Sequence, residues 1–171
     1  MGAAMASDPH DAEMRRLEAA IRERISYDPD SGVLTRISTG KAISCVGHCG
    51  YIQVRIWPKR FFAHRVAWFL HFGQWPSGLI DHINGDPLDN RIANLRVVDS
   101  RTNNQNLRRA RKNNQSGLLG ARLRKRGGAK PYFAAITHEG NWIYLGAFAT
   151  AQEAHEAYLV AKRRLHEGCT I

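Results

Sequence analysis

Residues 79–106 read LIDHINGDPLDNRIANLRVVDSRTNNQN. Leu79-Ile80 is a strand end, and Asp81-His82 follows it directly. Asn84-Gly85-Asp86-Pro87 is a polar turn: Gly tolerates positive φ, Pro presets its own φ, and Asn and Asp bond their local backbone. Asn94-Leu95-Arg96-Val97-Val98 enters a second strand. Asp99 or Ser100 can cap a helix carrying Asn103 and Asn106, because a short oxygen-bearing side chain accepts from the free N–H groups of a first turn. The order is strand, loop, strand, helix. His82 and Asn94 are 12 positions apart, and Asn94 and Asn103 are nine apart. A helix packed across this hairpin would bring Asn103 opposite Asp81-His82.

That set has chemical content. A carboxylate and an amide oxygen are hard ligands suited to Mg²⁺, with waters and a substrate phosphate completing the shell. An adjacent imidazole can take a proton from water near neutral pH. Together these are the parts of metal-assisted phosphodiester hydrolysis. Each residue alone has a plainer reading, since Asp-His before Asn-Gly is an ordinary turn. The combination points to a site.

Outward toward the N-terminus, Asp8-Pro9 starts a helix, with Met14, Leu17, Ile21 and Ile25 at helical spacing. Tyr27 to Gly32 (YDPDSG) is a turn, and Val33 to Ile37 a short strand. Tyr51 to Trp57 alternates, with Ile52, Val54 and Ile56 on one face. Pro58-Lys59 turns the chain into Phe61–Ala63, and an apolar helix covers His64 to Phe72. His64 reads as a structural histidine at that helix start, and Asn90 and Asn106 as braces. Cys45, His48 and Cys49 could form half a zinc site, but no second pair stands at finger spacing. Cysteines without metal are expected there.

Toward the C-terminus, Gly120–Leu123, Tyr132–Thr137 and Trp142–Phe148 read as three strands. Thr150 caps a final helix, Glu153 completes a capping box, and Gly168 is expected to end it. Ala154, Ala157, Tyr158, Ala161 and Leu165 form its apolar stripe. One helix over a three-stranded sheet leaves the other sheet face open. Period-two alternation puts Arg122, Arg124 and Arg126 on that face, with Tyr132, Trp142 and Tyr144 expected to join them.

Length and charge bound the rest. The chain has 171 residues, enough for one domain or two small ones, and 43% are hydrophobic, too many for a disordered tail. The formal net charge is +10. Residues 1–100 are nearly balanced, whereas residues 101–115 hold five cations (Arg101, Arg108, Arg109, Arg111 and Lys112) and no acid. A surplus so placed fits a connector tracking phosphates. No stretch of about 18 apolar residues exists to span a membrane. The N-terminus lacks the apolar core of a signal peptide. Three cysteines are too few for a disulfide framework, so an intracellular, reduced protein is expected.

Residues 27–106 resemble the HNH family of ββα-metal endonucleases, in the form found in phage and intron homing enzymes. The resemblance is carried by His64-Arg65-Val66-Ala67, Asp81-His82-Ile83-Asn84-Gly85-Asp86, Asn90, Asn94-Leu95-Arg96, and Asn103 with Asn106. It implies His82 as general base, Asp81 and Asn103 as holders of one divalent metal, and Asn94 as the residue orienting loop and imidazole. The third family position is often His. Asn103 in its place implies Mg²⁺ or Mn²⁺, because an amide is a poor zinc ligand. Family chemistry leaves a 3′ hydroxyl and a 5′ phosphate, and one site cuts one strand.

Residues 116–168 resemble the ethylene-response-factor (Apetala-type) DNA-binding domain of plants, which also occurs appended to phage HNH nucleases. The carriers are Gly120 to Arg124, Tyr132 to Ile136, Trp142 to Thr150, and the helix from Ala151 to Tyr158. This implies a sheet lying in the major groove of double-stranded DNA, where Arg can donate two bonds to guanine. Lys125, Lys130 and the connector would contact phosphates. The family has Trp where this chain has Tyr144, so base preference does not transfer.

The reading is therefore an α+β protein: an N-terminal helix (1–26), an HNH endonuclease domain (27–106), a basic connector (107–115) and a sheet-based DNA-binding domain (116–168). It implies a cytoplasmic, phage- or prophage-encoded monomer or weak homodimer with no small-molecule cofactor. The competing reading is a non-catalytic DNA-binding regulator whose HNH segment is scaffold, and a third is an RNA-binding module.

Overall fold

A computed structural model describes residues 8–125, 128–166 and 168–170. It mixes helices with small antiparallel sheets, an α+β fold. The chain divides into two compact units: residues 1–82 with 86–97, and residues 83–85 with 98–171. The division falls inside the segment 27–106 that the sequence reading treats as one domain.

The first unit begins with α1 (Pro9–Arg24), where the Asp8 side chain accepts from the His10 N–H and Pro stands in the first turn. Leu17 and Ile21 are its buried positions, four apart as a helix face requires. Strands β1 (Ile25–Tyr27), β2 (Leu34–Arg36) and β3 (Lys41–Ala42) form an antiparallel sheet in that order. Strands β4 (Gln53–Ile56) and β5 (Lys59–Phe62) form a hairpin around Trp57-Pro58. Val54 and Ile56 are buried, as the alternation requires, and Ile52 packs beside them. Helix α2 (Ala63–Phe72) follows directly and ends at Gly73, whose φ is 79°. Leu17, Ile21, Leu34, Val54, Val66 and Phe69 are among the residues of one core. Strands β6 (Leu79–His82) and β7 (Leu95–Val98) form a two-stranded sheet. Asp81-His82 thus belongs to the strand itself and does not follow its end.

The second unit has its own core around Ala121, Ala134 and Ala154. Helix α3 (Ser100–Gln105) starts at Asp99, which accepts from the Thr102 N–H, and Asn106 closes it. Strands β8 (Ala121–Leu123), β9 (Tyr132–His138) and β10 (Asn141–Phe148) form an antiparallel sheet with β9 central. Helix α4 (Ala151–Leu165) carries the expected capping box of Thr150 and Glu153. It stops at Leu165 with an extended cap at His166, three residues before Gly168. At Gly120 a Cβ would meet the Tyr158 ring at 1.9 Å, so only glycine lets α4 close on this backbone.

The connector belongs to this second unit. Lys162 is 1% exposed, and its ammonium donates to the Leu107 carbonyl. The Gly168 N–H donates to Gln105 Oε1 at 3.1 Å. These ties join α3 and the connector to α4 and the residues after it, in keeping with a division that falls before α3. Among the described residues no helix is long and apolar enough to cross a membrane.

Candidate active site

Strand alternation sends the adjacent side chains of Asp81 and His82 to opposite faces of β6. Both are buried. Arg96 on β7 donates to Asp81 Oδ2 through Nε at 2.9 Å and through Nη2 at 2.8 Å. Burial of a carboxylate is tolerable when a guanidinium compensates it in this way.

His82 enters an aromatic nest. Its ring lies 5.2 Å from that of His64, edge to face, and 6.0 Å from that of Tyr51. His64 in turn stacks on Phe62 at 5.4 Å and meets Tyr51 at 5.2 Å. Burial, with help from His82 and Arg65, pushes the His64 imidazole down to about 3. It is neutral at any working pH. Burial also lowers His82, while Asn90 and the charges of Asp81, Asp86 and Asp89 act in the opposite direction. His82 therefore stays a neutral, proton-accepting base near pH 7.

Asn90 gives that base an orientation. Asn90 Nδ2 donates to the Leu88 carbonyl at 3.3 Å, which leaves Oδ1 as the acceptor facing His82 Nε2 at 3.4 Å. A neutral imidazole with its proton on Nε2 can donate to that oxygen. Asn90 is fixed in turn. The Tyr27 hydroxyl donates to its carbonyl at 2.8 Å, and burial then Asp28 raise that phenol to about 12, so it remains a donor. Gly32, at φ 75°, lies so close to Asn90 and Arg91 that a Cβ would stand 2.4 Å from the Arg91 nitrogen. Asn94 is buried in a short 3₁₀ turn (Ile92–Asn94) and donates to the Asp89 carbonyl at 2.8 Å. That bond ties the 3₁₀ turn to the Asp89 backbone.

Asp81, His82 and Asn94 thus belong to the first unit, and Asn103 lies on α3 in the second. The readings of Asn90 as a brace and His64 as a structural histidine at a helix start agree with these contacts, whereas sequence reasoning assigned Arg96 no role. The signal for Asn90 and Arg96 is their place in the matched run, before and after Asn94. Cys45 and Cys49 are exposed thiols, and among the described residues no three His, Cys, Asp or Glu are grouped to hold a metal.

In the second unit, register defines the open face. Arg122 pairs with Phe133, Ala135 with Tyr144, and Thr137 with Trp142. Arg122, Arg124, Trp142 and Tyr144 are exposed and share one side, where Arg124 donates to the Tyr144 hydroxyl at 2.6 Å. Trp142 and Tyr144 stack at 6.0 Å. Tyr132 does not join them. It pairs with Leu123 and Phe148, and it packs into the core under α4. Arg108 is also turned inward: its Nη2 donates to the carbonyls of Ile83 at 3.0 Å and Thr170 at 2.9 Å. The same nitrogen also donates to the Thr170 hydroxyl at 2.6 Å. Arg109, Arg111, Lys112 and Lys130 are exposed, and Arg126 lies outside the described residues. Arg101, Arg109, Arg111 and Arg122 line a cleft of about 800 Å³ beside β8.

Residues 61–105 match the family model described as HNH endonuclease. No curated protein matches the chain. A solved structure on DNA binding and cleavage by the HNH homing endonuclease I-HmuI is similar at 27% identity with a TM-score of 0.39, over 48% of this chain and 51% of that one. The match therefore spans about half the length of that protein. Residues 61–105 are thus similar to an HNH endonuclease domain, and Asp81, His82, Asn94 and Asn103 all fall within the matched segment.

Proposed function

We propose that the protein is a metal-dependent DNA endonuclease of the homing type that nicks one strand per site and is placed on duplex DNA by its C-terminal sheet. The observation that carries this is the buried Asp81-His82 pair inside the HNH segment, with the imidazole held neutral and turned by Asn90.

Asp81 and Asn103 would hold the cation, Mg²⁺ or Mn²⁺. The donor set fits: both side chains offer hard oxygens, and neither offers the nitrogen or sulfur that zinc prefers. Arg96 already compensates part of the Asp81 charge, so further oxygens are needed, and the phosphate and water can supply them. A bound divalent ion neutralises charge building on the phosphate oxygens. His82 takes a proton from the attacking water as its oxygen bonds to phosphorus. The bond to the 3′ oxygen then breaks, and a solvent water protonates that oxygen, leaving a 3′ hydroxyl and a 5′ phosphate. Asn94 holds the loop that carries this geometry.

Arg122, Arg124, Trp142 and Tyr144 form the DNA-facing side of a domain that resembles the ethylene-response-factor type. Arg109, Arg111, Lys112 and Lys130 add phosphate contacts, which set register and not sequence. The resemblance also implies a cytoplasmic, phage- or prophage-encoded protein, acting as a monomer or weak homodimer without an organic cofactor.

Supercoiled plasmid incubated with the protein should be nicked in Mg²⁺ or Mn²⁺ and left intact in excess EDTA. Plasmid that stays supercoiled with either metal, while duplex binding persists, would favour the non-catalytic regulator.

A further inference from the structure

The first unit's charges are nearly balanced along the chain but not across its surface. Arg36 on β2 pairs across strands with Lys41 on β3, and Arg55 on β4 pairs with Arg60 on β5. Like charges directly opposite one another destabilise a sheet. Among the described residues none of these four cations makes an ion pair with a carboxylate, although neighbouring Lys59 pairs with Glu13. Among the described residues no carboxylate relieves that repulsion.

Folding also gathers three of the four. Arg36, Arg55 and Arg60, from three different strands, line one pocket of about 380 Å³ together with Gln53, Ile43 and Cys45. No acid lines it. Guanidinium forks match phosphate oxygens two at a time, so three arginines lining one hollow bring several such donors to its neighbourhood. At the hairpin tip Trp57 is 73% exposed, with the Arg55 guanidinium 5.0 Å over its ring. An exposed indole beside such a hollow suits the apolar face of a sugar.

We infer that this pocket binds the phosphodiester backbone of duplex DNA, giving the catalytic unit a grip of its own, separate from the C-terminal sheet. The inference rests on the DNA partner of the proposed function and adds a surface to it. The hollow holds one opposed pair whole, Arg55 with Arg60, and takes Arg36 from the other.

The test uses the full chain with EDTA, so that the duplex stays intact, and follows anisotropy of a labelled duplex between about 50 and 200 mM NaCl. The triple variant R36Q/R55Q/R60Q should flatten the slope of log K against log salt by about 2.7, at about 0.9 per lost phosphate contact. Its melting temperature should hold or rise, because opposed charges have been removed. Arg60→Gln alone should flatten the slope by about 0.9, which keeps the test open if the triple variant folds poorly. An unchanged slope in folded variants overturns the inference. So does a melting rise with millimolar inorganic phosphate that only the wild type shows while the duplex slope is unchanged, since the pocket would then take a free anion. Plasmid nicking by the same preparations is read separately. Failure of wild type to nick, with the slope shift present, sinks the nuclease and leaves the pocket.

Discussion

His64 gives a quantitative handle on the nest that holds the base. Its imidazole is buried and titrates at about 3 in the folded chain, against about 6.5 when exposed. A folded-state value below the unfolded one means that the unfolded chain binds more protons. Stability is then intact above the unfolded value and is lost as pH falls below it. At pH 5.0 the folded ring is still neutral, so the loss depends on the unfolded value alone. A 1.5-unit gap at about 1.36 kcal/mol per unit gives about 2 kcal/mol between pH 7.5 and 5.0. His64→Phe keeps a planar ring between Tyr51 and Phe62 and removes the proton site. Urea unfolding can be followed through Trp68 and Trp75, which pack against the first unit's core. The wild type should lose about 2 kcal/mol more than the variant over that interval. Equal losses in the two proteins would refute a buried neutral His64.

Three further outcomes follow from the same geometry. Asn90→Ala should slow nicking about 10- to 100-fold at unchanged duplex affinity, as loss of an orienting partner does, and Asn90→Asp should move the acid limb of the rate profile to higher pH, because a carboxylate facing His82 raises its pKa; an unmoved limb by single-turnover kinetics would contradict the contact. Arg122→Gln should weaken duplex binding and, if it meets a phosphate, reduce the salt slope by about 0.9, whereas Arg108→Gln should lower melting temperature and leave that slope alone. Lys162→Ala should cost about 2 kcal/mol of thermal stability in the second unit, through a cavity and an unpartnered Leu107 carbonyl, while Lys162→Met should cost less.

The polar run was legible because its chemistry is local. Turn residues, caps and strand entries around Asp81, His82 and Asn94 each have their own sequence signal, and those signals agree. What the helix-borne Asn103 faces is set by tertiary packing, which spacing alone does not fix. In the C-terminal sheet, alternation placed Arg122, Arg124, Trp142 and Tyr144 on one side. It failed at Tyr132 because Tyr132 to Ile136 is an unbroken apolar run with no phase of its own. Pairing with Leu123 and Phe148 sets that phase, past an irregularity between Tyr144 and Gly146. Arg108 was misread because a charge run treats every cation alike. Only Ile83 and Thr170, distant in sequence, show that it faces inward. Linear charge counting likewise hid Arg36, Arg55 and Arg60, since acids elsewhere in the first hundred residues cancel them on paper but not in space. Lys162 stands beside the apolar stripe of α4, and nothing in its local sequence marks it as buried.

His82 is the proposed base of a metal-assisted hydrolysis. Single-turnover nicking of supercoiled plasmid in Mg²⁺, wild type against His82→Ala at equal duplex occupancy, tests it most directly. The account predicts a rate lower by about 10²- to 10⁴-fold, the usual worth of a positioned general base. A variant that nicks within a few-fold of wild type would contradict it.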